Sequence, residues 1–383
     1  MKTIIRMLLL IFCVAPIYAQ VEMFPERPKG VLSTGINFQM WRWEKSDTKN
    51  QYLDPVNQMS FPVRLTVPLT RSVNLSIDHT PAISWWYDDR KISGLSDTWI
   101  QGTGVFWNDQ MMWNVGMGVP TGKTRLDNSQ FDLSRQLSRH ALRFRLPVYG
   151  QGFCGRLGWA IAIPLREELV FGAGLQYLYR AKYNPVEFTY TVNDVEKVVS
   201  NKYNPGDEFD IHLGFDILID EDTKVMVDGF YSRYSTDYLN DQKVYEAGNK
   251  FYLNLAYFHR FREHYLWTQF RYRMKGKNAL WQGVDQKGNE VTEGNQFELD
   301  AIFEALRFDK SSVLLTGESR VYGKNDAGTG GATIFGFGLS NSIDFWENSK
   351  FTINLKYLFG SLYEQVSRKT DGLEISTGVE VGL

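Results

Sequence analysis

The sequence predicts an all-β fold, a transmembrane antiparallel up-and-down β-barrel of about sixteen strands. Three observations carry that expectation. Strand-length segments alternate apolar and polar residues over most of the chain. The connections between them are short and long by turns. The first twenty residues have the layout of an export signal.

The signal sets the compartment. Lys2 and Arg6 form a basic start, Met7 to Val14 is an apolar run, and Ile17-Tyr18-Ala19 places a small residue before Gln20. This is the pattern of a cleavable secretory signal over residues 1–19. The run is too short to cross a bilayer as a helix. A lipoprotein reading through Cys13 is disfavoured by Phe12, which stands where a small residue is wanted. The remainder, 20–383, is expected to be a single barrel domain in a Gram-negative outer membrane. Its one cysteine, Cys154, excludes an internal disulfide framework. A net charge of −2 gives no nucleic-acid footprint. A mean hydropathy of −0.32 excludes a helical membrane protein. It is compatible with a barrel, half of whose strand residues face a wet lumen.

Alternation then locates the strands, because successive side chains of a strand point to opposite faces. Phe209, Ile211, Leu213, Phe215 and Ile217 interleave with Asp210, His212, Gly214 and Asp216. Phe351, Ile353, Leu355, Tyr357 and Phe359 interleave with Thr352, Asn354 and Lys356. Leu373, Ile375, Thr377, Val379, Val381 and Leu383 interleave with Glu374, Ser376, Gly378 and Glu380. The strands are expected at 31–45, 59–69, 71–87, 94–107, 109–119, 149–165, 167–183, 205–219, 222–236, 247–261, 264–275, 295–308, 310–322, 331–345, 348–362 and 371–383. Fourteen is the alternative count, since 59–87 admits a second reading. Most of these segments exceed the five or six residues usual in a soluble β-sandwich.

Short turns are expected near Thr70, Asn108, Arg166, Asp220-Glu221, Arg262-Glu263, Asp309 and Trp346-Glu347. Longer loops are expected at 46–58, 88–93, 120–148, 184–204, 237–246, 276–294, 323–330 and 363–370. Membrane barrels have short periplasmic turns and longer outer loops. Sixteen strands therefore place both termini in the periplasm. Phe188 to Val192 and Lys197 to Ser200 flank the turn-forming pair Asn193-Asp194 and predict a rim hairpin. Asp285 to Asn289 is expected to turn a second one.

Two neighbouring segments carry a resemblance. Gly94-Leu95-Ser96-Asp97-Thr98, and Gly116-Met117-Gly118-Val119-Pro120-Thr121-Gly122-Lys123, resemble signatures of the outer-membrane barrels grouped as the MetA-pathway phenol-degradation family. Those are distant relatives of FadL-type hydrophobic-substrate channels. The resemblance spans about thirty residues, and it implies uptake of small solutes, aromatic or apolar compounds among them. Two features depart from FadL-type channels. Only about ten residues lie between Gln20 and the first strand, so no N-terminal plug is expected, and the chain ends in Leu383 rather than Phe.

Catalytic and cofactor motifs are weak. Gly118 to Thr124 has the flavour of a phosphate loop, but Met117 stands where the first glycine is required. His79, His140, His212, His259 and His264 have no close-spaced companions that make a metal site. Ser76 with His79, or Ser312 with a histidine across the barrel, is the serine–histidine pairing a barrel enzyme acting on lipid would need, and no local motif supports either. No cofactor, no metal and no enzyme activity are expected.

The polar strand faces carry the candidate site. Arg271, Arg273 and Lys275 share one face, with Glu298, Asp300 and Glu304 on the polar face of the next strand. Asp210, Asp216 and Asp228 add an acidic patch, with His212 beside Asp210 and Asp216 on the lumen face, and Arg156 and Arg180 add a basic one. Within loop 120–148, Phe131 to Arg143 has helical spacing, which stacks Arg135, Arg139 and Arg143 on one face. Asn128 or Ser129 is the expected cap. If this loop folds inward, its arginines line a constriction. Trp41, Trp43, Trp85, Trp86, Trp99, Trp107, Trp113, Trp267 and Trp346 suit interfacial girdles, with Trp267 the best candidate for an arene-binding lining. The expected function is a passive outer-membrane porin. Its expected partners are outer-membrane lipid and lipopolysaccharide, small-molecule solutes and the barrel-assembly machinery. A lipid-acting barrel enzyme and a non-conducting structural or adhesive barrel are the alternatives.

Overall fold

The computed structural model describes residues 30–45, 51–87, 89–185, 187–192, 195–282 and 285–383. The signal segment lies outside them. Sixteen antiparallel strands close into one barrel. They are β1 (Val31–Trp43), β2 (Val56–Ser60 and Val63–Pro68), β3 (Val73–His79 and Ala82–Trp86), β4 (Arg90–Gly94 and Thr98–Phe106), β5 (Met111–Val119), β6 (Cys154–Pro164), β7 (Leu169–Arg180), β8 (Glu208–Leu218), β9 (Thr223–Tyr234), β10 (Lys250–Phe261), β11 (His264–Lys275), β12 (Gln296–Phe308), β13 (Ser311–Tyr322), β14 (Gly331–Trp346), β15 (Ser349–Tyr363) and β16 (Ser367–Gly382). Closure is a continuous β1–β16 ladder from Val31 opposite Gly382 to Trp43 opposite Thr370. Every wall strand thereby has a neighbour on both sides, which a spanning barrel requires because hydrocarbon offers backbone groups no partner; among the described residues, Arg90–Gly94 of β4 pairs on one side, with Ala82–Trp86. Among the described residues, no helix is long and apolar enough to cross a membrane.

Parity assigns the two faces. Leu175, Leu213, Leu255, Leu299, Phe335, Phe337 and Leu355 point outward and remain exposed. Their neighbours Asp210, Gln269, Glu318 and Arg320 point inward and are buried. Burial of an arginine beside exposed leucines inverts the soluble pattern. It is the arrangement of a wall wetted inside and greased outside.

The structure corrects several boundaries. The predicted loop 88–93 is mostly strand, and the predicted loop 363–370 shrinks because β16 starts at Ser367. β6 starts at Cys154 rather than near 149. β2 and β3 are interrupted at Phe61-Pro62 and Thr80-Pro81, where proline cannot donate to the ladder. The two interruptions face each other, and the Phe61 N–H donates to the Pro81 carbonyl at 2.8 Å. β4 breaks over Leu95-Ser96-Asp97.

The rim hairpin forms as expected, with Glu187–Val192 paired to Val195–Ser200; its turn Asn193-Asp194 lies outside the described residues. Asp285 to Asn289 does not turn the second hairpin. It lies within the strand Asp285–Glu290, paired with Asn278–Gln282. These two strands join Tyr203–Asn204, Thr236–Leu239 and Gln242–Glu246 in a separate five-stranded sheet at the long-loop end.

Candidate functional site: a segment inserted into the lumen

The connection between β5 and β6 leaves the wall and packs against its inner face. Its helix α1 (Asn128–Leu137) is capped by Asp127, whose carboxylate accepts the Gln130 N–H while the Gln130 side chain returns to the Asp127 N–H. This capping box fixes the start one residue before the expected cap. The Gln130 N–H also holds the Asp127 carboxyl below its ordinary pKa. Leu133 and Leu137 of the helix, and Ala141, Leu142, Phe144, Leu146 and Tyr149 beyond it, join one buried apolar cluster. The wall supplies Trp41, Trp43, Val56, Trp86, Ile92, Tyr322, Ile334, Leu358 and Leu362. Burying each leucine is worth about 1.5–3 kcal/mol, against about 1 kcal/mol for a typical hydrogen bond. Apolar contact therefore dominates the docking.

Polar contacts set its register. Gln39 donates to the Arg143 carbonyl at 3.0 Å and Gln58 to the Leu146 carbonyl at 2.8 Å. Arg320 donates to the Ala141 carbonyl at 2.8 Å. The Tyr149 hydroxyl donates to the Ile92 carbonyl at 3.1 Å and lies 2.9 Å from Ser84 Oγ. Burial pushes this phenol up to about 12.

The two glycine-bearing motifs meet where the segment leaves and rejoins the wall. Asp97 accepts from the Gly122 N–H at 3.0 Å and from the Gln151 N–H at 2.6 Å. Thr121 Oγ1 donates to the Ser96 carbonyl, and the Lys123 N–H to the Leu95 carbonyl. A Cβ at Gly122 would collide with the Tyr149 carbonyl, and one at Gly150 with the Gly122 backbone. Glycine is required at both because two backbones touch there.

The arginine stripe is corrected. The helix stops at Leu137, so Arg135, Arg139 and Arg143 do not share a helical face. Arg135 is exposed in the last turn. Arg139 pairs with Glu364 at 2.6 Å and covers the Trp43 ring at 5.4 Å. Arg143, at φ +48°, reaches across to Glu298.

Among the described residues, only Arg271 of the expected wall cations meets the expected carboxylates. Glu298 also binds Arg271 at 3.1 Å, and Arg271 binds Asp300. Arg273 and Lys275 share Glu293 of the β11–β12 connection. Glu304 stands apart from these cations and pairs with Arg307 at 3.0 Å. Asp210 accepts from Gln176 and Ser232, Asp216 binds Lys224 at 3.1 Å, and Arg180 binds Glu208. His212 stacks on Phe230. Trp267 faces inward at the short-turn end. Trp41, Trp43 and Trp86 are buried under the segment rather than in a girdle, because odd parity on β1 turns its tryptophans inward. Trp107 and Trp346 are exposed beside the short turns.

Ser76 and His79 lie on opposite faces of β3, three residues apart in an alternating strand. His79 instead meets Thr98 Oγ1 at 2.9 Å on the outer surface. Among the described residues, no group of acidic, histidine or cysteine side chains is arranged to hold a metal. Sequence reasoning missed Gln39, Gln58 and Arg320, which carried no signal beyond their inward parity, and met Asp97 only as part of a glycine-bearing motif.

No protein-family model and no curated relative matches this sequence. The fold matches solved outer-membrane barrels. OprB of Pseudomonas putida, in its high-pH structure, matches with a TM-score of 0.48 and 9% identity, over 91% of this chain and 94% of that one. A FadL homologue of Pseudomonas aeruginosa matches at 0.45 and 8%, over 92% and 90%. The monoaromatic hydrocarbon channel CymD matches at 0.44 and 10%, over 94% and 89%. These are likenesses of fold.

Proposed function

We propose that this chain is a passive outer-membrane channel for small solutes, narrowed at its long-loop end by the segment between Gly122 and Gln151. The signal segment is removed on export, and both termini lie in the periplasm. One observation carries the reading: inward-facing charged side chains below the inserted segment keep open surface. The inward-facing side chains of Arg64 and Asp78 keep 43% and 32% of their surface exposed, where a filled barrel would bury them. A solute passing the segment then meets the wall of β7 to β13. Arg143, Arg180, Asp210, His212, Asp216, Arg271, Arg273, Glu298 and Asp300 are its pore-lining groups. Paired charges of both signs facing water favour polar and amphipathic solutes.

Outward cations at the long-loop end, among them the exposed Arg233, suit contact with lipopolysaccharide phosphates. No catalytic step is invoked, since the outward histidines His79 and His259 each meet a threonine hydroxyl. Reconstitution into planar bilayers is the test. Stepwise ohmic conductance is expected, and folded, inserted protein giving no steps would overturn the channel.

A further inference from the structure

Two lysines stand directly opposite each other on the inner wall, Lys250 of β10 and Lys275 of β11. Like charges in that position repel. Arg273 lies on the same face, two residues before Lys275. Among the described residues, Glu293 is the one carboxylate in ion contact with these cations, and of the three it meets Arg273 and Lys275. Lys250 rests over the Tyr234 ring at 4.8 Å and keeps part of its surface open. Three positive charges thus share one ion-paired carboxylate; Lys275 is itself buried, Lys250 keeps the open surface, and Glu208 and Asp210 act on Lys250 without an ion contact to it. Such an excess calls for a mobile anion.

The neighbouring side chains say which kind. His212, Phe230 and Tyr252 form a cross-strand stack, with centroids 5.1 Å apart at 20° and 4.1 Å apart at 9°. Arg273 closes one end over Tyr252 at 5.6 Å. Rings stacked on their neighbours present edges to the lumen, and an edge is attracted to the face of another ring. Lys250 and Tyr252 are successive inward residues of one strand, so they are about 7 Å apart along it. That is about the length of a benzoate from carboxylate to far ring edge. His140 of the inserted segment lies 3.5 Å from Glu293, so the segment reaches the edge of this patch.

We propose that Lys250, Arg273 and Lys275, together with the ring edges of Phe230 and Tyr252, form a lumenal subsite for small aromatic carboxylates. The cations hold the carboxylate and the stack holds the ring. This rests on the channel reading and names its substrate class.

The experiment is calorimetric titration of the detergent-solubilised full chain with benzoate, benzamide, acetate and inorganic phosphate, beside bilayer recordings of the same preparation. Benzoate is expected to bind saturably, and benzamide and acetate each about tenfold more weakly or not at all. Lys250→Gln is expected to weaken benzoate about tenfold, as loss of a charge-assisted contact does, and Lys250→Arg to restore most of it. Equal binding of benzoate and benzamide, phosphate or acetate binding as tightly as benzoate, or an unchanged Lys250→Gln variant would each overturn the subsite. Conductance without benzoate binding defeats the subsite alone. Benzoate binding without conductance defeats the channel alone.

Discussion

Gln58 and Leu146 are joined by two hydrogen bonds, the side-chain amide donating to the Leu146 carbonyl at 2.8 Å and its oxygen accepting the Leu146 N–H at 2.8 Å. A glutamine side chain here takes the place of a strand partner. Gln39, its cross-strand neighbour on β1, does the same for Arg143 and Arg145. The paired change Gln39→Ala, Gln58→Ala removes this clasp. It is expected to weaken docking by about 2–4 kcal/mol, at about 1 kcal/mol per hydrogen bond, and to add larger, flickering conductance levels in single-channel records. The records of this variant matching those of the parent would show that the clasp does not hold the segment.

Glu298 sits between Arg143 of the segment and Arg271 of the wall. Glu298→Gln leaves both guanidinium groups facing a neutral amide. Docking is expected to weaken by about 1–3 kcal/mol and anion preference to rise, read as the reversal potential in a KCl gradient. A shift toward cations would contradict the placement of this carboxylate in the conduction path.

The Tyr149 phenol supplies a pH dependence. Its pKa is raised to about 12 when docked, against 10.0 for a free tyrosine. The contribution to docking is therefore fully present below pH 10 and lost as pH rises toward 12, because the released phenol ionises first. Conductance noise is expected to grow over that window, and Tyr149→Phe to flatten the growth. Noise that grows instead between pH 5 and 8 would point to another group.

Parity itself is testable. Leu213 points to lipid and its neighbour His212 to the lumen. Leu213→Arg is expected to cost about 2–4 kcal/mol of folding stability in liposomes, as a mid-membrane charge does, and His212→Arg far less. Urea titrations of the two variants decide it, and equal losses would refute the assignment of faces.

Most of the wall was legible in the sequence because alternation is local. The run Phe209 to Ile217 reads as one strand with one apolar face whatever it pairs with. Turns such as Asp220-Glu221 then punctuate the runs. The interior was less legible because it depends on register. Nothing in the order of residues brings Asp97 to Gly122 and Gln151. The arginine spacing at 135, 139 and 143 misled because α1 ends at Leu137, and Arg143 leaves the helical region altogether. The Trp41 and Trp43 positions suggested a girdle, yet the same parity that put Gln39 inside put them inside too.

The inserted segment is the centre of the account, and single-channel conductance of a variant lacking residues 126–147, with Arg125 joined to Val148 through a short glycine–serine linker, tests it most directly. Asp97, Gly122 and Gln151 remain to close the wall. The account predicts a stable, ohmic channel of clearly larger conductance than the full chain. A conductance equal to that of the full chain would contradict it.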